Sequence, residues 1–274
     1  MRTLSLATAC CERRHGAPSG WLPLLIDPHY GRQSSVKVPG SGVQLVLTDF
    51  ASEFVVPGAE VPDQSIVDRA AKLAASAPSN GKGKREVYLC HNYCELGAVK
   101  MVDEMVAVRQ FLETNPSEIV MIVVQDAVSA ADIAQVFNDA GLLDEVATLV
   151  KGQPLPTLGD LVDAGTRLVV FAERGEDDAP AWYPRAYDWF QETPYAWKEI
   201  NSFTCAPNRG KPDNPLFLVN HWVGRSPPDP ALSKKVNGRT VLEARVEQCL
   251  TERGITPNVI AADFATSGDL IAVT

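Results

Sequence analysis

Glu118-Ile119-Val120-Met121-Ile122-Val123-Val124-Gln125-Asp126 is the stretch that decides how this chain folds. Its apolar run is rich in β-branched side chains and does not alternate with polar ones, the pattern of a strand buried on both faces. It stops abruptly at an amide and a carboxylate. Upstream, Leu96, Val99, Val102, Met105, Val106 and Phe111 recur at helical spacing until Asn115-Pro116 breaks the helix. A buried strand after an amphipathic helix implies a parallel sheet with helices packed against it.

The same unit repeats in both directions. Leu24-Leu25-Ile26 runs into Asp27, Val87-Tyr88-Leu89 into His91, and Val169-Val170-Phe171 into Glu173. Leu216 to Val219 runs into Asn220-His221, and Val259 to Ala262 into Asp263. Helices are expected from about Ser65 to Ala75, Leu96 to Glu113, Ala130 to Ala140, Thr157 to Ala164 and Thr240 to Arg253, with Val43 to Thr48 as an accessory strand. Residues 175–214, rich in Trp, Tyr, Pro and charge, read as irregular. In an α/β barrel the chemistry gathers on loops at the carboxyl ends of the strands, so polar residues recurring where each run stops point to one shared mouth. About six core strands are legible, two short of a closed barrel.

A chain of 274 residues without a low-complexity linker or an internal repeat suits one domain, read as 21–274 behind an irregular tail, 1–20. A net charge of −9 and a pI near 5.0 argue against nucleic acid as a partner and against a general attraction to anionic surfaces. Met1-Arg2 and the short, weakly apolar stretch after it make a poor signal peptide, and no run reaches the ~18 apolar residues of a spanning helix. Six cysteines form an even set. Cys90 and Cys94 flank His91 closely enough for a local disulfide or a metal site, Cys205 with Cys249 is a second candidate bridge, and free buried thiols are the alternative.

His91 is the best single candidate for proton transfer, because it follows a buried run directly and imidazole titrates near neutral pH. Its surroundings, Tyr88-Leu89-Cys90-His91-Asn92-Tyr93-Cys94-Glu95-Leu96-Gly97, followed by Phe111-Leu112-Glu113-Thr114-Asn115-Pro116-Ser117-Glu118-Ile119-Val120, resemble the X-domain phosphodiesterases related to phosphatidylinositol-specific phospholipase C. The resemblance continues in order through Pro156-Thr157-Leu158-Gly159-Asp160, Arg167 to Phe171, Cys205-Ala206-Pro207-Asn208-Arg209-Gly210, Leu216 to Trp222 and Pro257 to Phe264. It covers the chain from about Leu24 to its end.

That resemblance implies a TIM-type α/β barrel, irregular in this family. It also implies cleavage of an inositol phospholipid, or a related phosphodiester, by paired histidines. One histidine activates the inositol 2-hydroxyl as general base, and the other protonates the leaving diacylglycerol oxygen. By motif position His91 matches the general acid, Asp27 the acidic residue ending the second strand, His29 a phosphate-facing group, and Asp263 the carboxylate of the last strand. Asn92, Gln125, Asp126, Arg209, Asn220 and His221 are the candidate substrate-binding residues; Arg209 is suited to gripping a phosphate in bidentate fashion.

The family's first histidine, in a Thr-His-Asn-Ser-like motif, has no counterpart before Asp27, and His15 has the wrong neighbours. The expectation is therefore an N-terminally incomplete member with the first strand missing, or a relative that binds a phosphorylated ligand without turnover. Gln125 stands where many members carry Glu, and a neutral amide is a poor ligand for Ca²⁺, so no cofactor is expected, although Asp126 and Asp27 remain as potential ligands and leave Ca²⁺ open as the alternative. The implied partners are a phospholipid or small phosphodiester and, transiently, a membrane surface; the implied location is extracellular or membrane-associated.

Overall fold

The computed structural model describes residues 5–7, 10–14, 36–37, 44–45, 85–89 and 99–273 except 127, 196, 225–228 and 265. The expected strand Leu22 to Asp27, the expected helix Ser65 to Ala75, and Cys90 and Cys94 lie outside the described residues.

In chain order the elements are β1 (Ser5–Ala7), β2 (Cys10–Arg14), β3 (Val36–Lys37), β4 (Gln44–Leu45), β5 (Arg85–Leu89), β6 (Val99–Lys100) and α1 (Met101–Thr114). There follow β7 (Val120–Val124), α2 (Ala130–Asp139), α3 (Leu158–Asp163), β8 (Leu168–Ala172), β9 (Phe190–Glu192) and β10 (Leu216–Asn220). The chain closes with α4 (Pro230–Val236), α5 (Arg239–Arg253), β11 (Val259–Ala261) and α6 (Leu270–Val273). Among the described residues two sheets are parallel, ordered β1-β7-β8 and β11-β10-β9. Two small ones are antiparallel, β2-β5-β6 and β3-β4. The architecture is mixed α/β, as the buried runs require, and no closed barrel is formed among the described residues.

Where the structure differs from the sequence reading, pairing overrides local pattern. The first helix begins five residues later than its apolar spacing suggests, because Val99 and Lys100 pair with Leu89 and Tyr88 as β6. Lys100 is held there by a 2.9 Å ion pair to Glu86. The segment read as an irregular tail contains β1, which lies parallel to β7 with Ser5 opposite Ile122. The segment 175–214, also read as irregular, contains β9, parallel to β10 with Leu216 opposite Phe190.

The elements are closed by local chemistry. In α1 the buried stripe Met101, Met105, Val108 and Leu112 follows helical spacing. The guanidinium of Arg167, 8% exposed, donates to the Leu112 and Asn115 carbonyls at 2.8 and 3.1 Å and reaches Glu145 at 3.1 Å. A buried cation thus satisfies the carbonyl end of the helix that precedes β7. Ser129 caps α2, Thr157 and Asp160 form a capping box on α3, and Gly254 ends α5 at φ 66°.

Because side chains alternate along a strand, each parallel strand serves two cores. Val120, Ile122, Val124, Leu168 and Val170 face α1 and α2, packing with Met105, Ile133 and Phe137. Val123, Val169, Phe171, Phe190, Leu216, Leu218 and Val259 form the other cluster, shared by both parallel sheets. The outer face of β10, Phe217 and Val219, packs with Cys205 and Cys249. Those two cysteines form a disulfide with Cα atoms 5.1 Å apart, as their even count allowed.

Candidate functional site

Parity along the strands selects which of the terminal polar residues can meet. The shared interior takes Val123 on β7, Phe171 on β8, Phe190 on β9, Leu218 on β10 and Val259 on β11. Two residues further along β7, β8, β9 and β10, the same inward rows continue as Gln125, Glu173, Glu192 and Asn220, and four residues further after β11 comes Asp263. All lie at the carboxyl ends of parallel strands, so an apolar interior is covered by a polar layer on one side.

Glu192 is the hub of that layer. Its side chain has no exposed surface, which makes its charge costly unless hydrogen bonds replace water. Five donor atoms from four residues do so. Arg209 donates from Nε at 2.5 Å and Nη2 at 3.1 Å, Asn208 from Nδ2 at 2.7 Å, Asn220 from Nδ2 at 3.1 Å, and Tyr187 from its hydroxyl at 3.3 Å. Arg209 also donates from Nη1 to Glu173 at 2.6 Å, tying the end of β8 to the end of β9. Its guanidinium carbon lies 4.1 Å from the centre of the Tyr187 ring and 4.8 Å from that of Tyr195, and Tyr195 stacks on Trp222 with centroids 6.5 Å apart.

The electrostatics follow from this packing. Burial works against the Arg209 charge, but the hydrogen bonds to Glu192 and Glu173 outweigh it and hold the guanidinium above its ordinary range. Burial first, and the Glu192 carboxylate second, push the Tyr187 hydroxyl up, so it remains a proton donor. The loop carrying Asn208 and Arg209 lies along β9, with Glu192 N donating to the Arg209 carbonyl and Asn208 N to the Glu192 carbonyl, both at 3.1 Å. Gly210, at φ 79°, makes this approach feasible, since a Cβ there would sit 1.8 Å from the Phe190 carbonyl oxygen.

Asp263 is placed by a buried amide. Asn237, with no exposed surface, donates to the carbonyls of Asp263 and Phe264 at 2.8 and 3.2 Å. Phe264 takes φ 48°, and among the described residues it is the one non-glycine in the left-handed region. Strain of this kind concentrates where a fold must aim a side chain.

Two of the candidate residues point the other way. Asp126, one position out of phase with Gln125, accepts the backbone N–H groups of Arg174 and Gly175 at 2.8 and 3.0 Å and so shapes the turn after β8. His221, out of phase with Asn220, is fully buried, contacts Phe203 at 5.3 Å, and binds the Val236 carbonyl through Nε2 at 2.9 Å. A carbonyl only accepts, so Nε2 carries the proton. Burial, with Arg245 nearby, lowers its pKa to about 4 against the raising effect of the Val236 bond. Gln125, Arg209 and Asn220 lie in the polar layer, and Asp263 follows the end of β11. His91, Asn92, Asp27 and His29 lie outside the described residues.

Sequence reading passed over Glu192, Tyr187 and Asn208, and it read Glu173 only as a strand end. The available signal was Phe190-Gln191-Glu192-Thr193, a short alternating segment just past Tyr187. A three-residue strand among Trp, Tyr and Pro has too few positions to show a period.

Residues 70–274 match the family model PI-PLC X, described as PI-PLC X 1. A protein of Arthroderma benhamiae named "PI-PLC X domain-containing protein 1" is 26% identical over 67% of this chain and 66% of its own. The chain therefore spans just under two thirds of that relative's length. No solved structure matches significantly. With three quarters of its length inside the family match, including every strand end of the polar layer, the chain belongs to the PI-PLC X family.

Proposed function

We propose that this protein is a phosphoric diester hydrolase of the phospholipase C type, acting on an inositol phospholipid or a related diester within a TIM-type barrel. The observation that carries this reading is the convergence of Glu173, Glu192, Asn220 and Arg209 at the carboxyl ends of parallel strands in a member of the PI-PLC X family. In this reading His91 protonates the leaving diacylglycerol oxygen as the inositol 2-hydroxyl attacks phosphorus. A cyclic phosphate results, and a base takes the hydroxyl proton. Asp27 and His29 flank the phosphate, Asp263 orients an imidazole across the mouth, and Asn92 and Gln125 bind the head group.

The reaction needs no cofactor in this proposal. Gln125 contributes a neutral amide, and both Glu192 and Glu173 are already paired with Arg209. The Cys205–Cys249 disulfide supports an extracellular or membrane-associated site of action, with a lipid surface as transient partner. Among the described residues, no helix is long and apolar enough to cross a membrane.

The test is release of phosphorylated head group from mixed micelles by the protein isolated from its source. Turnover is expected without added cation. His91→Ala is expected to reduce it by about 10²–10⁴-fold, the usual contribution of a general acid. A second reading is ligand binding without turnover, in a layer whose carboxylates Glu173 and Glu192 are already paired with Arg209. It wins if the wild type binds a soluble inositol phosphodiester but releases no product.

A further inference from the structure

The short corner between α4 and α5 touches the ends of both β10 and β11. On one side the Val236 carbonyl accepts from Nε2 of His221, the residue after Asn220. On the other, Asn237 donates from Nδ2 to the Asp263 carbonyl at 2.8 Å and to the Phe264 carbonyl at 3.2 Å, just past β11. The turn beyond is fastened to the same corner. Asp269 N donates to the Asn237 carbonyl at 2.9 Å, Arg239 N to the Asp269 carboxylate at 3.0 Å, and Ser267 N to the Phe264 carbonyl at 2.7 Å. Asn237 has no exposed surface, so bulk water does not compete for its bonds.

Ile260 and Ala262 pack with Leu242 of α5 and Leu270 of α6, so alternation turns Asp263 the other way, towards the interior. The chain leaves that point through Phe264 at φ 48°, a conformation that persists in a bulky residue only where its surroundings over-determine it. The two Asn237 bonds supply that constraint, because they hold the carbonyls on either side of the Phe264 Cα and so fix both peptide planes. We infer that Asn237 is a positioning residue. By pinning those planes it sets the direction of the Asp263 side chain, and with it the imidazole that Asp263 orients. The inference rests on the phosphodiesterase reading for what Asp263 does, and on the geometry of the corner for how Asp263 is held.

Phe264 supplies a test that leaves the buried amide in place. Phe264→Val and Phe264→Asn both lose the phenyl ring, but a β-branched residue resists positive φ whereas Asn accepts it. Turnover of an inositol phospholipid in mixed micelles and calorimetric binding of a soluble inositol phosphodiester are measured for the wild type, Asp263→Asn, Asn237→Ala and both Phe264 variants, each well below its melting temperature. Asp263→Asn is expected to lower kcat about 10²-fold or more with little change in KM. It should also move the limb of the pH–rate profile set by the imidazole to lower pH, since a carboxylate beside an imidazole raises its pKa. Phe264→Val and Asn237→Ala are expected to lose at least about ten-fold in kcat and to move that limb the same way, and Phe264→Asn to recover most of the loss. If Asn237→Ala does not fold, the Phe264 pair decides.

Equal kcat and equal pH profiles in Phe264→Val and Phe264→Asn overturn the proposal, as does an Asp263→Asn variant that behaves as the wild type; wild-type turnover in either case keeps the phosphodiesterase reading. A wild type that binds the diester without turnover removes that reading. The proposal then stands if binding falls in Asp263→Asn and Phe264→Val and is recovered in Phe264→Asn, and fails otherwise. A wild type that neither binds nor turns over the diester overturns both.

Discussion

A single buried carboxylate organises the polar layer. Glu192 is tolerated in a dry site because Arg209, Asn208, Asn220 and Tyr187 replace its hydration, and in doing so they acquire fixed positions. His221 illustrates the opposite outcome one residue beyond Asn220: buried on the far face, it is neutral and structural. Its pKa of about 4 in the fold lies below the ordinary value of 6.5. The unfolded chain therefore binds the extra proton first, and stability falls as pH drops from 6.5 towards 4. The shift corresponds to a loss of about 2 kcal/mol between pH 7 and pH 5. Urea melts at the two pH values measure it, and His221→Phe is expected to flatten the difference by that amount. An unchanged difference would mean that other groups dominate the acid limb.

At the scale of elements, α5 grips the loop that carries the site. Arg245, itself buried, donates to the Thr204 carbonyl at 2.5 Å, Arg253 donates to the Cys205 carbonyl at 3.0 Å, and Cys249 closes the disulfide to Cys205. Four residues beyond Cys205 stands Arg209, so tethering the loop to α5 also limits how far the Glu192 pair can stray. The bridge spans 44 residues, for which chain entropy gives a stabilisation of about 4 kcal/mol, with about 2–4 kcal/mol typical of measured bridges. Cys205→Ser/Cys249→Ser is expected to lower denaturant stability within that range. The wild type under a thiol reductant should match the double variant; a gap between them would point to a further reducible bridge.

At the scale of the molecule, two three-stranded parallel sheets are joined by one apolar interior. Phe171 on β8 meets Phe190 on β9 edge to face, with centroids 5.0 Å apart and an interplanar angle of 77°, and both are fully buried. Directly above them the same two strands present Glu173 and Glu192, bridged by Arg209. Packing between the sheets thus sets the separation of the two carboxylates. Phe171→Ala is expected to cost about 3–5 kcal/mol in unfolding free energy. It should also weaken inositol phosphodiester binding, whereas Phe137→Ala, in the α1/α2 core, should lose similar stability with less effect on binding. Equal effects on binding would remove the special standing of the shared interior.

Sequence alone determined the α/β class, the strands β5, β7, β8, β10 and β11, the helices α2, α3 and α5 nearly to the residue, and the family. Those elements carry long uniform runs or strong caps, such as Thr157 and Gly254, whose physics is local. It also brought Gln125, Asn220 and Asp263 into view as strand ends. Tertiary structure decided the rest. Only pairing with β10 makes a strand of Phe190–Glu192. Only the registers show that Gln125 and Asn220 share a face from which Asp126 and His221 are turned away. Only packing shows that the Arg209 charge is already shared between two carboxylates. A pattern in sequence reports what a residue is and how often its kind recurs, whereas a site depends on which residues far apart in the chain are brought within 3 Å, and that is a property of the packed sheets.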